Sequence, residues 1–83
     1  MNIDFYDIGY VNVSNNRKHV LNALLTKPCT SAEIAKQYNV RQSSISKAIN
    51  DLKNNGMVAG DRREYKITKK GEQVIEAIDE RNI

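Results

Sequence analysis

The apolar residues of this chain fall into four short stripes at helical spacing, and most of them follow a residue that can cap a helix. Ser14 can cap the first stripe, which occupies residues 20–25 and ends before Pro28. Thr30 and Glu33 match a capping box, in which each side chain accepts a hydrogen bond from the other residue's backbone N–H. The pattern therefore predicts two helices separated by a short loop.

A third helix is predicted after a sharp turn at Asn39, because asparagine enters the left-handed backbone region at low cost. This helix covers residues 42–54 and ends near Gly56. Its apolar stripe consists of Ile45, Ala48, Ile49 and Leu52.

The period of the apolar positions changes beyond Gly56. Residues 57–59 and 65–67 are predicted strands, joined through residues 60–63 as a hairpin with a charged tip. Thr68 can cap a last helix with Val74, Ile75 and Ile78 on its inner side. Residues 1–13 alternate imperfectly between polar and aromatic or β-branched types, which predicts an extended arm or short strand.

Together these elements predict a mainly α fold with a small β-hairpin, in the order arm, helix, helix, helix, hairpin and helix. Two helices joined by a short turn and followed by a hairpin correspond to a winged helix-turn-helix domain, which we assign to residues 14–83 after an arm in residues 1–13.

The charge of the chain is concentrated in the region of the third helix and the hairpin. The whole chain has a net charge of +3, but residues 41–70 contain eight basic and three acidic residues, leaving the remainder with a net charge of −2. An asymmetry of this kind indicates a surface that faces a polyanion, although a solvated lysine-rich face would have the same composition.

The third helix is predicted to read DNA with its polar face. Ser43, Ser46, Lys47 and Asn50 lie opposite the apolar stripe, and no acidic residue occurs between positions 41 and 50. In a helix-turn-helix protein this face enters the major groove. The candidate contacts are therefore these four residues together with Arg41, Gln42 and Ser44 at the start of the helix.

Each of these residue types can form a contact that DNA recognition requires. Gln42 can pair bidentately with adenine, and Arg41 can pair with guanine or hold a phosphate. The serines permit close approach and can donate to phosphate oxygens. Arg62 and Arg63 at the hairpin tip can enter a minor groove or contact phosphates, although a charged tip also serves simply to protect a sheet edge. Lys69, with Lys70, opens the last helix, whose free N–H groups also favour phosphate.

Residues 11–78 resemble the winged-helix transcription regulators of the MarR/ArsR type, especially small archaeal ones. The resemblance lies in three segments, YVNVSNNRKHVLNALL (residues 10–25), SAEIAKQYNVRQSSISKAINDLKNNGMV (residues 31–58) and EYKITKKG (residues 64–71). It implies sequence-specific binding of double-stranded DNA and transcription regulation. By this resemblance, the groove-reading positions are Gln42, Ser43, Ser44, Ser46 and Lys47, and the wing positions are Arg62 and Arg63. The predicted hairpin is short for this family, which implies a wing that touches only phosphates.

The sequence argues against an enzyme and against a metal sensor. Cys29 and His19 stand alone, without the ligand spacing of a metal site and without an evident nucleophile–base pair, so we expect no cofactor and no metal. Cys29 is expected to be a small buried or half-buried side chain, and His19 a surface residue. The main alternative is a winged helix that binds another protein, which would require an apolar outer face on the third helix.

We expect a cytoplasmic homodimer with no membrane partner and no evident small-molecule effector. No apolar run approaches the length of about 20 residues that crosses a bilayer. The first ten residues lack the basic and apolar regions of a secretory signal, and a single cysteine is typical of a reducing compartment. Ile3 and Phe5 are expected to contribute to a dimer contact, whereas Tyr10 and Val11 are expected to cover the core.

Overall fold

Five helices and one antiparallel hairpin make up residues 4–81, the part of the chain that the computed structural model describes. In chain order they are α1 (Phe5–Asn12), α2 (Asn15–Thr26), α3 (Ser31–Tyr38), α4 (Gln42–Asn54), β1 (Val58–Asp61), β2 (Glu64–Ile67) and α5 (Lys69–Arg81). From α2 onward this is the predicted order, so the helix-turn-helix and the hairpin are both confirmed.

The capping residues of the sequence mark the observed helix boundaries. The hydroxyl of Ser14 accepts a hydrogen bond of 3.3 Å from the backbone N–H of Arg17 at the start of α2. Thr30 and Glu33 form the capping box of α3, with hydrogen bonds of 2.8 and 3.1 Å. Helix α2 ends one residue before Lys27, which is extended because a residue that precedes a proline avoids the α region.

The first element is a helix, so the prediction of an extended arm or short strand was wrong here. Asp4 begins α1 by accepting a hydrogen bond of 2.9 Å from the backbone N–H of Tyr6. The buried side chains of α1 are Asp7, Ile8 and Val11, which share one helical face. This face packs against α2 and α5, and tertiary packing of that kind outweighs the preference of aromatic and β-branched residues for strands.

A left-handed residue joins the two helices of the helix-turn-helix. Asn39 has φ 56° and ψ 49°, and its backbone N–H donates to the carbonyl oxygens of Ala35 and Lys36. Helix α4 then occupies residues 42–54, as predicted, and Gly56 follows it with φ 75°. The turn therefore uses the one residue type besides glycine that adopts this conformation cheaply.

The hairpin strands are longer than predicted, so the loop between them is only two residues, Arg62 and Arg63. Val58 pairs with Ile67 at one end, and Asp61 pairs with Glu64 at the other. Tyr65 also exchanges two backbone hydrogen bonds, of 2.8 and 3.1 Å, with Cys29 in the loop before α3. This bridge holds the hairpin against the helix-turn-helix.

One hydrophobic core lies between the helices and the base of the hairpin. Its most completely buried large side chains are Val11, Val20, Leu21, Ile34, Ile45, Ile49, Leu52, Met57, Val74 and Ile75. The predicted inner faces of α4 and α5 are confirmed, since every member of both stripes is buried. Full burial of one such side chain contributes about 1.5–3 kcal/mol, so the core fixes which faces of α4 and α5 remain exposed.

Two helical glycines have opposite surroundings, which gives a test of this packing. A Cβ on Gly71 would clash with the carbonyl oxygen of Met57 and lie 2.8 Å from Cγ1 of Ile67, whereas a Cβ on Gly9 would meet nothing within 4 Å. We expect Gly71→Ala to lower the free energy of unfolding by about 1–3 kcal/mol. Gly9→Ala should raise it by about 0.5–1 kcal/mol, since alanine loses less backbone entropy on folding.

The measurement is equilibrium unfolding in urea, with Gly9→Ala as the matched control for replacement of a helical glycine. A Gly71→Ala variant as stable as the Gly9→Ala variant would contradict the close contact between α5 and the hairpin.

Candidate nucleic-acid interface

The predicted polar side chains of α4 project away from the core. Ser43, Lys47 and Asn50 are exposed, and Ser46 is half-buried. We refer to these four residues as the α4 outer face. The side chain of Lys47 is 79% exposed and is the only cation among the four. Because the opposite side of the helix is buried, this face is held outward.

The start of α4 is open on the same end of the helix. Arg41 occupies the N-cap position and is exposed, but it makes no capping hydrogen bond with its side chain among the described residues. Gln42 is exposed, and its Nε2 donates a hydrogen bond of 3.2 Å to Oγ of Ser31 at the start of α3. This bond orients the Gln42 amide before any ligand arrives.

Ser44 differs from the other candidate serines. It is half-buried and lies in a groove between the start of α2 and the flank of α4. The groove is lined by Ser14, Asn16, Arg17, Ser44, Lys47, Ala48 and Asp51. The structure therefore places Ser44 beside the α4 outer face rather than on it.

The two candidate arginines form the exposed tip of the hairpin. Asp61 stabilises the turn by accepting a hydrogen bond of 2.9 Å from the backbone N–H of Arg63, which leaves both guanidinium groups exposed. Lys53, near the end of α4, donates a hydrogen bond of 2.9 Å to the carbonyl oxygen of Gly60. Its ammonium also lies 6.0 Å from the ring centre of Tyr65. Lys53 thus ties the hairpin to α4, a role that its position in the sequence does not reveal.

The two lysines at the start of α5 have different surroundings. Lys69 is exposed, as a phosphate contact requires. Lys70, in contrast, places its ammonium 3.3 Å from the carboxylate of Asp7 and 2.7 Å from the carbonyl oxygen of Asn55. Asp7 is a buried acid, so Lys70 neutralises it and joins α1 to α5. The grouping of Lys70 with Lys69 as a phosphate contact therefore fails.

An acidic residue that the sequence analysis did not assign lies beside the α4 outer face. One carboxylate oxygen of Asp51 is 3.1 Å from the guanidinium of Arg17 and 3.7 Å from the ammonium of Lys47. Arg17 also donates a hydrogen bond of 2.7 Å to the carbonyl oxygen of Tyr10 and lies 3.8 Å from the centre of the Tyr10 ring. The spacing of Lys47 and Asp51 allows a helical ion pair, but nothing in the local sequence indicates the role of Arg17.

The remaining titratable groups have structural surroundings. Cys29 is buried, which raises the pKa of its thiol, and the nearby Glu33 carboxylate acts in the same direction. Hydrogen bonds from the backbone and side chain of Thr30 lower the pKa of Glu33. His19 stacks on Tyr38 with the ring centres 4.0 Å apart. No cluster of three or more potential metal ligands occurs within residues 4–81.

No helix in the described part of the chain is long and apolar enough to cross a membrane.

Comparison with protein families places this fold and its polar face in context. The model of the family described as the HVO_A0261 N-terminal domain matches residues 6–82. The chain belongs to this family. A search of curated protein sequences found no significant match.

The solved structures to which this HVO_A0261 N-terminal domain is similar are winged-helix regulators of the MarR/ArsR-like type. The transcriptional regulator BldR from Sulfolobus solfataricus is 32% identical over 81% of this chain and 53% of its own, with a TM-score of 0.73. The adhesin competence repressor AdcR from Streptococcus pyogenes is 25% identical over 87% of this chain and 58% of its own, with a TM-score of 0.76.

ZitR from Lactococcus lactis is 22% identical over 74% of this chain and 44% of its own, with a TM-score of 0.68, and supports the fold alone. The chain spans about half the length of these regulators. The winged-helix architecture is therefore shared with all three.

Proposed function

We propose that this domain binds double-stranded DNA in a sequence-specific manner and regulates transcription as a non-enzymatic, cytoplasmic protein of the MarR/ArsR-like type. The observation that carries the proposal is the α4 outer face, which is exposed, acid-free and held outward by four buried side chains on the same helix. BldR, described as a transcriptional regulator, and AdcR, described as a repressor, support a regulatory role for the shared fold.

In the proposed complex, α4 lies in the major groove with its start nearest the bases. The Gln42 amide has two N–H donors, so it can keep its bond to Ser31 while the second N–H and the oxygen pair with adenine. Arg41 pairs with guanine or a phosphate. The uncapped N–H groups at the start of α4 favour phosphate oxygens, to which Ser43, Ser44 and Ser46 also donate.

The hairpin tip is proposed to contact the DNA beside the groove that α4 occupies. A two-residue turn presents Arg62 and Arg63 with little reach beyond the strands, which favours the adjacent phosphates or the edge of the minor groove. Lys69, exposed at the start of α5, adds a further phosphate contact. No cofactor is needed for any of these contacts.

We further propose that two copies of the chain bind as a homodimer through the exposed side of α1. Phe5 is 78% exposed, Tyr6 74% and Val13 81%, and together with Gly9 and Tyr10 they line one shallow groove. The Cα atoms of the domain extend over 31 × 23 × 20 Å, whereas paired half-sites lie about 34 Å apart, so one domain serves one half-site. Ile3, which was also expected at this contact, lies outside the described residues.

A protein-interaction module is the alternative function, and the position of the apolar surface argues against it. Such a module would present apolar side chains on the outer face of α4, which instead carries serine, lysine and asparagine. The large apolar side chains that are most exposed lie on α1, where a second copy of the chain accounts for them.

The direct test is a titration of a random-sequence DNA duplex with the protein, followed by fluorescence anisotropy at several salt concentrations. If the dimer neutralises about six to ten phosphates, the affinity should fall about 10³- to 10⁵-fold between about 50 and 200 mM salt. A flat salt response, or no binding at low salt, would refute DNA binding and leave the protein-interaction module.

Two substitutions on α4 separate a phosphate contact from base recognition. We expect Lys47→Ala to weaken binding to every duplex and to reduce the slope of log affinity against log salt by about 0.9 for each lysine lost. Gln42→Ala removes no charge, so it should leave that slope unchanged and relax the choice of base at one position in a duplex selected from a random library. If both variants bound every duplex like the wild type, the assigned α4 outer face would be incorrect.

The dimer contact is tested by the mass of the protein in solution. The double substitution Phe5→Ser, Tyr6→Ser should convert the dimer to a monomer in light scattering after size exclusion, because both side chains leave an exposed apolar groove. Leu25→Ser, at an exposed apolar side chain on α2, is the matched control and should leave the mass unchanged. A wild-type monomer, or a dimer that survives the double substitution, would exclude this contact.

A further inference from the structure

A single carboxylate oxygen of Asp51 serves two cations with very different surroundings. Arg17 is 3.1 Å away, and its side chain is only 19% exposed. Lys47 is 3.7 Å away, with 79% of its side chain exposed. Asp51 itself is 23% exposed and follows directly after the α4 outer face. An acid so close to a surface proposed to bind phosphates requires an explanation beyond fold stability.

Arg17 holds the Asp51 carboxylate in place. Its second guanidinium nitrogen donates to the carbonyl oxygen of Tyr10, and the guanidinium plane lies over the Tyr10 ring. The arginine therefore has three partners on α1 and α4, which leaves it little freedom to turn away. Since Arg17 already compensates the charge of Asp51, the loss of Lys47 would not leave that carboxylate unpaired.

The ion pair between Lys47 and Asp51 is, in contrast, easily exchanged. Both residues lie on α4 four positions apart with the lysine first, which is the less favourable order for a helical pair. The ammonium is exposed at the end of a flexible side chain. Its present position is on the flank of α4 that borders the groove shared with α2. A phosphate oxygen can therefore replace Asp51 as the partner of Lys47.

We infer that Asp51 is a positioning residue that limits sequence-independent binding to DNA: its carboxylate holds Lys47 on the flank of α4 until a phosphate takes the ammonium. The inference rests on the proposed function, because it concerns how the same surface binds DNA. Each DNA contact by Lys47 then costs one exchange with Asp51, and the carboxylate also repels nearby phosphates. Both effects lower the affinity for DNA in general.

The test is a double-mutant cycle of Asp51→Asn and Lys47→Ala, measured by anisotropy with a random-sequence duplex. Asparagine keeps the shape of the side chain and can still accept the Arg17 hydrogen bond. Glu72→Gln is the matched control, because it removes one negative charge at an exposed position in the first turn of α5. Far-UV circular dichroism checks that every variant is folded.

We expect Asp51→Asn to bind the random duplex about threefold more tightly than the wild type at 0.1 M salt, and more tightly than Glu72→Gln. The salt slope should steepen, at most by about 0.9 for each freed lysine. Lys47→Ala should cost about threefold more affinity in the Asp51→Asn background than in the wild type. If Asp51→Asn and Glu72→Gln bind equally, or if the cycle shows no coupling, Asp51 does not act through Lys47.

A measurement on the wild-type protein covers the case in which Asp51→Asn does not fold. The side-chain carboxyl ¹³C resonance of Asp51 should shift when the random duplex is added, because Lys47 leaves it. An unchanged Asp51 resonance, with shifted amide resonances at Ser43 and Ser46, would overturn this inference while leaving DNA binding intact. Failure of the wild type to bind any duplex would instead refute the proposed function, and the inference with it.

Discussion

Burial of the inner face of α4 determines which of its side chains can reach a ligand. Ile45, Ala48, Ile49 and Leu52 are between 0% and 4% exposed, and α4 packs against both α2 and α3. Rotating the helix by one residue would expose part of this stripe and bury a polar side chain without a partner, which carries a free-energy cost on both counts. The α4 outer face is therefore outward-facing as a consequence of the core, and the left-handed turn at Asn39 sets where the helix begins.

Two charged contacts extend this core to the first helix. Lys70 reaches from α5 to the buried carboxylate of Asp7, and Arg17 connects Tyr10 on α1 with Asp51 on α4. Both contacts use partially buried groups, for which loss of one partner leaves the other uncompensated. They fix the inner side of α1 against the domain, so Phe5 and Tyr6 remain on its outer side. The arrangement separates a polar surface on α4 from an apolar surface on α1.

Local signals predicted much of this structure. Thr30 with Glu33, Asn39 and Gly56 act on their immediate neighbours, and a single stripe of aliphatic residues defines α4, so these features can be read from the sequence. The conformation of residues 5–12 could not, because α1 is helical through its packing on α2 and α5 rather than through its residue preferences. The partners of Lys70 and Asp51 lie far apart in the chain, at Asp7 and Arg17, and only the fold brings them together.

The central claim is that α4 and the hairpin tip form one DNA-binding surface, and NMR mapping with ¹⁵N-labelled protein tests it most directly. A random-sequence duplex is added at low salt, and the shifts of the backbone amide resonances are followed. The account predicts that the largest shifts occur at Ser43, Ser46, Lys47 and Asn50, with further shifts at Arg62 and Arg63. Shifts confined to α1, or an unchanged spectrum, would contradict it.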